Sequence, residues 1–245
     1  NGFNVGTYQI SEQGPSGYTQ TFGEACDVNG EVSLELGDDK ECIIYNNDQR
    51  ATLTVYKFVE NTYGGNLDSD DFTIHVTGPN VSDPSFLGSA QGTTVNLDAG
   101  DYNVYEDLID GYVPQYSDDC NGTIGAGESK ICTITNDDQA PTLKLIKTVI
   151  NDDGGVKVVS DFQLYIDDNP VESGVVTQLS SNVQYTASED NLDGYEASAW
   201  GGDCNDDGTI TLEPGEDAVC TITNDDIAPK LRLQKLVRNE WGGTG

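Results

Sequence analysis

The chain has 245 residues and a formal charge of −32, with 43 Asp+Glu against 11 Lys+Arg. That balance argues against nucleic acid as a partner, since phosphate binding needs a basic face, and disfavours anionic membranes; its bland meaning is solubility through mutual repulsion. No segment is long and apolar enough to span a bilayer as a helix, and the length suits two domains of ordinary size.

In chain order, residues 1–49 begin with Tyr8, Ile10 and Glu12 in one alternation phase, and end in "CIIYNND" from Cys42 to Asp48. Residues 50–138 begin with "ATLTVYKFVENTYGG", continue through Tyr102, Val104 and Glu106, and close with "CTITNDD" from Cys132. Residues 139–226 repeat this plan: "PTLKLIKTVINDDGG", then Tyr185, Ala187 and Glu189, then "CTITNDD" from Cys220. Residues 227–245 start the plan again with "PKLRLQKLVRNEWGG". Lys57, Lys147 and Lys235 are spaced by 90 and 88 residues. Internal repetition of this length marks tandem domains. The spacing predicts a partial repeat (1–49), two complete repeats (50–138 and 139–226) and a partial repeat holding a first strand (227–245). The chain reads as a window of a longer one. The connectors Gln139-Ala140-Pro141 and Ile227-Ala228-Pro229 are short and stiffened by proline, so domains joined rigidly end to end are expected.

Within each repeat, short runs of Val, Ile, Thr and Tyr alternate with period two and are broken by Gly, Asn and Asp. No long stretch has helical period. The expected fold is all-β: tandem antiparallel, Ig-like β-sandwiches of about seven strands each. The six cysteines fall in close pairs at one place in the repeat: Cys26 with Cys42, Cys120 with Cys132, Cys204 with Cys220. With no CxxC and a single histidine, His75, zinc is disfavoured; three disulfides and an oxidising, extracytoplasmic compartment are expected. An aromatic four residues before the first cysteine of each pair (Phe22, Tyr116, Trp200) is expected to pack on the disulfide.

Strand phase exposes an anomaly. Successive side chains of a strand point to opposite faces. Leu53, Val55, Lys57 and Val59 share the inward phase, as do Leu143, Leu145, Lys147 and Val149, and Leu231, Leu233, Lys235 and Val237. Glu106, Glu189 and Glu12 are in phase with inward residues of a middle strand. Asn136, Asn224 and Asn46 are in phase with the cysteine and isoleucine of the last strand. Each repeat thus aims a Lys, a Glu and an Asn at its own core. Isolated buried charges are costly, so the three must meet. One solution is a buried Lys–Glu pair with Asn bonded alongside. The other is covalent: desolvation favours a neutral amine and a protonated carboxyl, the amine attacks the Asn amide carbon, and ammonia leaves.

These residues resemble the prealbumin-like, Cna-B-type domains of microbial surface proteins. The resemblance implies β-sandwich repeats of pilins and adhesin stalks, with autocatalytic isopeptide bonds Lys57–Asn136 and Lys147–Asn224 promoted by Glu106 and Glu189. In the partial repeats, Glu12 and Asn46 await a lysine, and Lys235 awaits an asparagine. The cysteine pairs and the acidity depart from the common Gram-positive pattern. An extracellular location on a bacterium or archaeon, and neighbouring copies or repeats in a fibre as partners, follow from the same resemblance.

Weaker signals need no special site. Acidic loops such as those of Asp68 and Asp70, or Asp152 and Asp153, are turn formers first and calcium candidates second; no other cofactor is expected. "DCNDDG" from Asp203 starts like a calcium loop but has Pro214 at position twelve. Asn80 and Asn121 begin glycosylation sequons. One histidine leaves no Ser/His/Asp set, so no enzyme is expected beyond the self-crosslinking step. The alternatives are a ligand-binding adhesin, with residues 78–92 as the variable loop, and an acidic calcium-binding surface-layer or matrix protein. A tail-to-head completion between copies falls short by count: 49 and 17 residues against a repeat near 90.

Overall fold

The structure is a computed structural model; residues 2–244 are described. The chain forms two compact units, Asn1–Gln139 and Ala140–Gly245.

The first unit begins with four strands, β1 (Gly6–Gln9), β2 (Tyr18–Glu24), β3 (Glu31–Leu34) and β4 (Cys42–Asp48). They pair as two antiparallel ladders, β1 with β3 and β2 with β4. A complete sandwich follows: β5 (Ala51–Glu60), β6 (Thr73–Thr77), β7 (Ser85–Leu87), β8 (Thr93–Leu97), β9 (Gly100–Glu106), β10 (Tyr112–Tyr116), β11 (Asn121–Ile124) and β12 (Ser129–Asp138). One sheet runs β10-β12-β5-β8, the other β11-β9-β6-β7. The alternation expected of β5 is realised as a strict buried–intermediate pattern through Lys57. Leu53, Val55, Ile74, Val104, Ile124 and Ile134 form the core between the sheets.

One pairing departs from an antiparallel plan. β5 and β12, the first and last strands, lie side by side and parallel, with Lys57 opposite Ile134 and Val59 opposite Asn136. The long stretch between them supplies the crossover that a parallel pair requires. Where the four-stranded head meets this sandwich, the Gln49 amide donates to the Gly17 carbonyl and the Gly127 amide to the Gln49 carbonyl. Gly17 has φ +82, and a Cβ there would run into the Ala126 carbonyl. Only glycine suits both the left-handed backbone and the close approach.

The second unit repeats the plan with β13 (Thr142–Ile150), β14 (Leu164–Ile166), β15 (Asn169–Val171), β16 (Val176–Gln178), β17 (Gln184–Glu189), β18 (Tyr195–Ala197), β19 (Gly201–Gly202), β20 (Thr209–Thr211) and β21 (Asp217–Asp226). Its sheets run β16-β13-β21-β18, with β19 also on β21, and β15-β14-β17-β20. β13 and β21 are again parallel, with Lys147 opposite Ile222 and Val149 opposite Asn224.

All three disulfides are formed, Cys26–Cys42, Cys120–Cys132 and Cys204–Cys220. Trp200 packs in one cluster with Cys204 and Cys220, as expected. Tyr116 does not bury itself in the same way; it is 40% exposed. β10 runs unbroken through Tyr116, whereas its counterpart stops at Ala197 and resumes at Gly201, letting Trp200 turn inward. Residues 227–244 carry no strand, and Leu231 and Leu233 are more than nine-tenths exposed. The first strand expected there is absent from the structure. In the two sandwiches that strand is held by a parallel last strand, and no described strand pairs with this tail.

Candidate functional site

β5 carries Lys57 into the core, where it is fully buried. The opposite sheet supplies Glu106 at the end of β9, and β12 supplies Asn136 two places beyond the residue that faces Lys57. Paired residues of adjacent strands share a face, so this register puts Lys57 and Asn136 diagonally on the core side. Lys57 Nζ is 3.0 Å from Glu106 Oε2, and the Asn136 amide nitrogen donates to Glu106 Oε1 at 2.5 Å. Nζ also sits 4.0 Å from the centre of the Phe72 ring. A loop closes over the lysine stem: a Cβ on Gly88 would lie 2.6 Å from Lys57 Cγ.

The second domain repeats the arrangement. Lys147 Nζ is 2.6 Å from Glu189 Oε2, donates to Asn224 Oδ1, and lies 4.5 Å from the Phe162 ring centre. Lys147 and Asn224 are buried, and Glu189 is partly so.

Burial depresses both lysine pKa values below 10.5, opposed by the adjacent carboxylate of Glu106 or Glu189. The ring faces of Phe72 and Phe162 beside each Nζ also oppose it, since an aromatic face attracts a cation. Several polar atoms stay unsatisfied. Lys57 Nζ and Glu106 Oε2 are close but not aligned as a hydrogen bond, and Asn136 Oδ1 and Glu189 Oε1 have no hydrogen-bond partner. Buried polar atoms without partners are uncommon and expensive in proteins. The arrangement can do two things chemically. It can stand as a strained polar cluster, or it can discharge an amine onto an amide carbon with a carboxyl beside both.

The partial copies are less complete. Glu12 Oε1 and Asn46 Oδ1 converge on one spot, 3.2 and 3.4 Å from where a Gly14 side chain would begin. Glu12 Oε1 is buried and lacks a partner, while Asn46 is exposed. Lys235 is exposed in the tail. The structure therefore brings together two triads and one Glu–Asn pair.

Sequence reasoning missed several residues. Phe72 and Phe162 each follow the lysine by fifteen places in an Asp-Phe dipeptide, a signal available in the repeat. The final aspartate of "CTITNDD" reads as a turn former, but Asp138 and Asp226 are buried. Asp138 accepts the amides of Tyr63 and Gly65, and Asp226 those of Asp153 and Gly155. Burial works against the Asp226 charge, and the amide donors together bring its pKa below the ordinary carboxylate value. Tyr112 and Tyr195, after the repeated glycines, donate to Asn61 and Asn151 in the same loops.

The remaining candidates lie apart from the triads. Asp68 and Asp70 are exposed beside a 3-10 turn. Asp152, Asp153 and Asp226 place one carboxylate oxygen each within 4.8 Å of the others. In the "DCNDDG" loop, Asp203 accepts the Val219 amide and Asp207 accepts from Thr209, which is turn chemistry. Asn80 donates to Asp98, and Asn121 is exposed at the start of β11. His75 meets Asp107 at 3.1 Å and stacks on Tyr105.

Among the described residues, no helix is long and apolar enough to cross a membrane. Solved structures with a similar fold include the Bacillus anthracis TIE protein, 18% identical over 77% of this chain with a TM-score of 0.45. This chain spans 37% of that protein's length. The major pilin of Streptococcus pyogenes is 16% identical over 74% of this chain and 99% of its own, with a TM-score of 0.32. A C-terminal fragment of the pilus adhesin SpaC from Lactobacillus rhamnosus GG is 16% identical over 74% of this chain and 99% of its own, with a TM-score of 0.34. No curated protein matches the chain. A family model described as a prealbumin-like fold domain matches residues 48–136 and again 138–222. The two sandwiches and their repeated sequence plan thus have one explanation: the chain belongs to the prealbumin-like fold domain family, in two tandem copies.

Proposed function

We propose that this chain is a load-bearing structural segment of an extracellular pilus, filament or adhesin stalk, in which each domain closes itself with a Lys–Asn isopeptide bond. The observation that carries this reading is the convergence of a buried Lys, Glu and Asn in both domains, from the first, middle and last strands. In the reactive step the carboxyl of Glu106 or Glu189 hydrogen-bonds the amide oxygen and polarises its carbon. The neutral amine of Lys57 or Lys147 attacks Cγ of Asn136 or Asn224. The C–N bond to the side-chain nitrogen breaks, the carboxyl relays the proton from the amine to that nitrogen, and ammonia departs. Proximity within the fold supplies the effective concentration, and the reaction runs once. It is not turnover, and the chain is not an enzyme in the ordinary sense.

The topology suits a tensile role. Chain tension enters at the start of β5 and leaves at the end of β12, shearing two parallel neighbours. A bond between Lys57 and Asn136 carries that load and shields the 78 residues between them. The buried disulfide separately ties the turn before β11, in one sheet, to β12 in the other. Membership of a surface-protein family and three disulfides support a location outside the cell, on a bacterium or archaeon, with neighbouring copies as partners.

Intact mass after reduction tests the chemistry. The expected result is a deficit of one ammonia for each complete domain, abolished one at a time by Glu106→Ala and Glu189→Ala. A full-length mass without deficit, in a folded protein, overturns the covalent reading.

A further inference from the structure

We propose that the disulfides Cys120–Cys132 and Cys204–Cys220 position the crosslink: each pins the register of a last strand so that its asparagine meets the lysine, and crosslinking therefore waits for oxidation. The proposal rests on the isopeptide reading above and adds its regulation.

Each triad is assembled from two sheets. In the first domain β5 and β12 bring Lys57 and Asn136, while Glu106 ends β9 in the opposite sheet. Cys132 lies on β12 four residues before Asn136, in the same inward phase, and is paired with Val55, two places before Lys57. Cys120 closes the 3-10 turn that leads into β11, and β11 pairs Asn121 with Asn103, three residues before Glu106. The bond thus joins the strand of the asparagine to the sheet of the glutamate, a few residues from each.

The second domain keeps this plan on its last strand and varies it elsewhere. Cys220 is again four residues before Asn224, and is paired with Leu145, two places before Lys147. Cys204 precedes β20, and between them Gly208 accepts the amide of Ala187, two residues before Glu189. The closed loops differ, with sequence separations of 12 and 16. The place of the pin relative to lysine and asparagine does not.

That place matters because the ladders alone tolerate a slip. A parallel ladder has evenly spaced bonds, and moving a strand by two residues keeps every inward side chain inward. Such a slip carries Asn136 about 7 Å along the strand. Attack needs the reacting atoms within about 3–3.5 Å. With the disulfide closed, Cys132 stays beside Cys120, Cα to Cα 4.5 Å, and the slipped register is shut off. The Asp138 clasp resists the same slip, but by hydrogen bonds that open reversibly.

Oxidation comes first. The two thiols give two electrons and two protons to an external disulfide, which leaves as two thiols. The amine then attacks the asparagine Cγ and ammonia leaves, with no oxidant consumed. A chain that has not met an oxidant stays free to unfold, and one that has is locked.

The test uses the 245-residue chain, prepared with its thiols reduced and then oxidised with glutathione disulfide, with acid-quenched samples taken for intact mass and crosslinked-peptide mapping. One spectrum reads both steps, since each disulfide removes two hydrogens and each crosslink one ammonia. The expected result is ammonia loss that follows oxidation and is roughly 10- to 100-fold slower in the reduced chain. Cys120→Ser with Cys132→Ser slows the Lys57–Asn136 bond alone, and Cys204→Ser with Cys220→Ser the Lys147–Asn224 bond alone. Sucrose restores folding without restoring the pin, and Trp200 fluorescence reports the fold of the second domain. A second-domain variant that is folded in sucrose yet crosslinks slowly supports the proposal. The same variant crosslinking at the oxidised rate reduces the disulfide to a source of stability and overturns it. Complete ammonia loss while all thiols are free overturns the pin and leaves the isopeptide reading standing. An oxidised, folded chain that never loses ammonia overturns the isopeptide reading, and this proposal with it.

Discussion

The two triads are built to one plan but sealed differently. Around Lys57 the core is closed: the side chains of Lys57 and Glu106 are wholly buried, and the Gly88 loop lies on the lysine stem. Around Lys147 the seal is looser. β17 is only intermittently buried, the Glu189 side chain is 5% exposed where that of Glu106 is 0%, and Ser173 accepts the Lys147 amide where the first domain uses the Ser89 carbonyl. The amides also face differently, with nitrogen toward Glu106 in one and oxygen toward Lys147 in the other. The chemistry is therefore tied to the register of three strands, while the depth of burial is set by the loops that cover them.

Removing the carboxylate gives the largest effect. Glu106→Ala leaves a buried lysine without its partner and costs about 3–5 kcal/mol, by the usual penalty for breaking a buried pair. Glu189→Ala costs less, because Lys147 keeps a second acceptor in Asn224 Oδ1. Urea unfolding measures the difference: Trp200 lies in the second core while Trp241 is exposed, so the fluorescence of Trp200 follows the second domain. Equal losses at both sites would erase the distinction drawn between them.

Opening a disulfide ranks next. Cys120→Ser with Cys132→Ser, or Cys204→Ser with Cys220→Ser, costs about 2–4 kcal/mol each in unfolding free energy. Smaller still is the loss of the clasp. Asp138→Asn or Asp226→Asn weakens the amide bonds to the loop after the first strand, by about 1–3 kcal/mol. Faster amide hydrogen exchange at Gly65 or Gly155 is the local sign, with the triads left intact.

The smallest effect is a pH slope, visible only when crosslinking is blocked. With Asn136→Ala, Lys57 stays a free amine whose folded pKa lies below 10.5. Between that lowered value and 10.5 the unfolded chain binds more protons than the folded one, so stability rises with pH through this window. Asn224→Ala places Lys147 in the same position, with the shift in the same direction. Adding Lys57→Met should remove the slope of the first domain; a slope that survives belongs to other groups.

Much of this was legible in the chain. Period-two alternation and a repeat near ninety residues sufficed for tandem sandwiches, because a strand's faces are set by a local backbone rule. The same rule aimed Lys57, Glu106 and Asn136 at one core without any knowledge of their distances. Asp138 was misjudged because "NDD" has the composition of a turn, and composition cannot say that a distant loop will bring amides to the carboxylate. The tail failed in the opposite way: residues 229–237 have the right phase for a strand, but a strand is a pairing, and pairing needs a neighbour.

Phase, repeat length and cysteine spacing were thus decided by the sequence itself, since each depends on residues close together along the chain. Tertiary structure alone decided the rest. It laid the first and last strands side by side and parallel, and set an aromatic floor beneath each lysine. Those are relations between segments tens of residues apart, fixed by packing two sheets around one core.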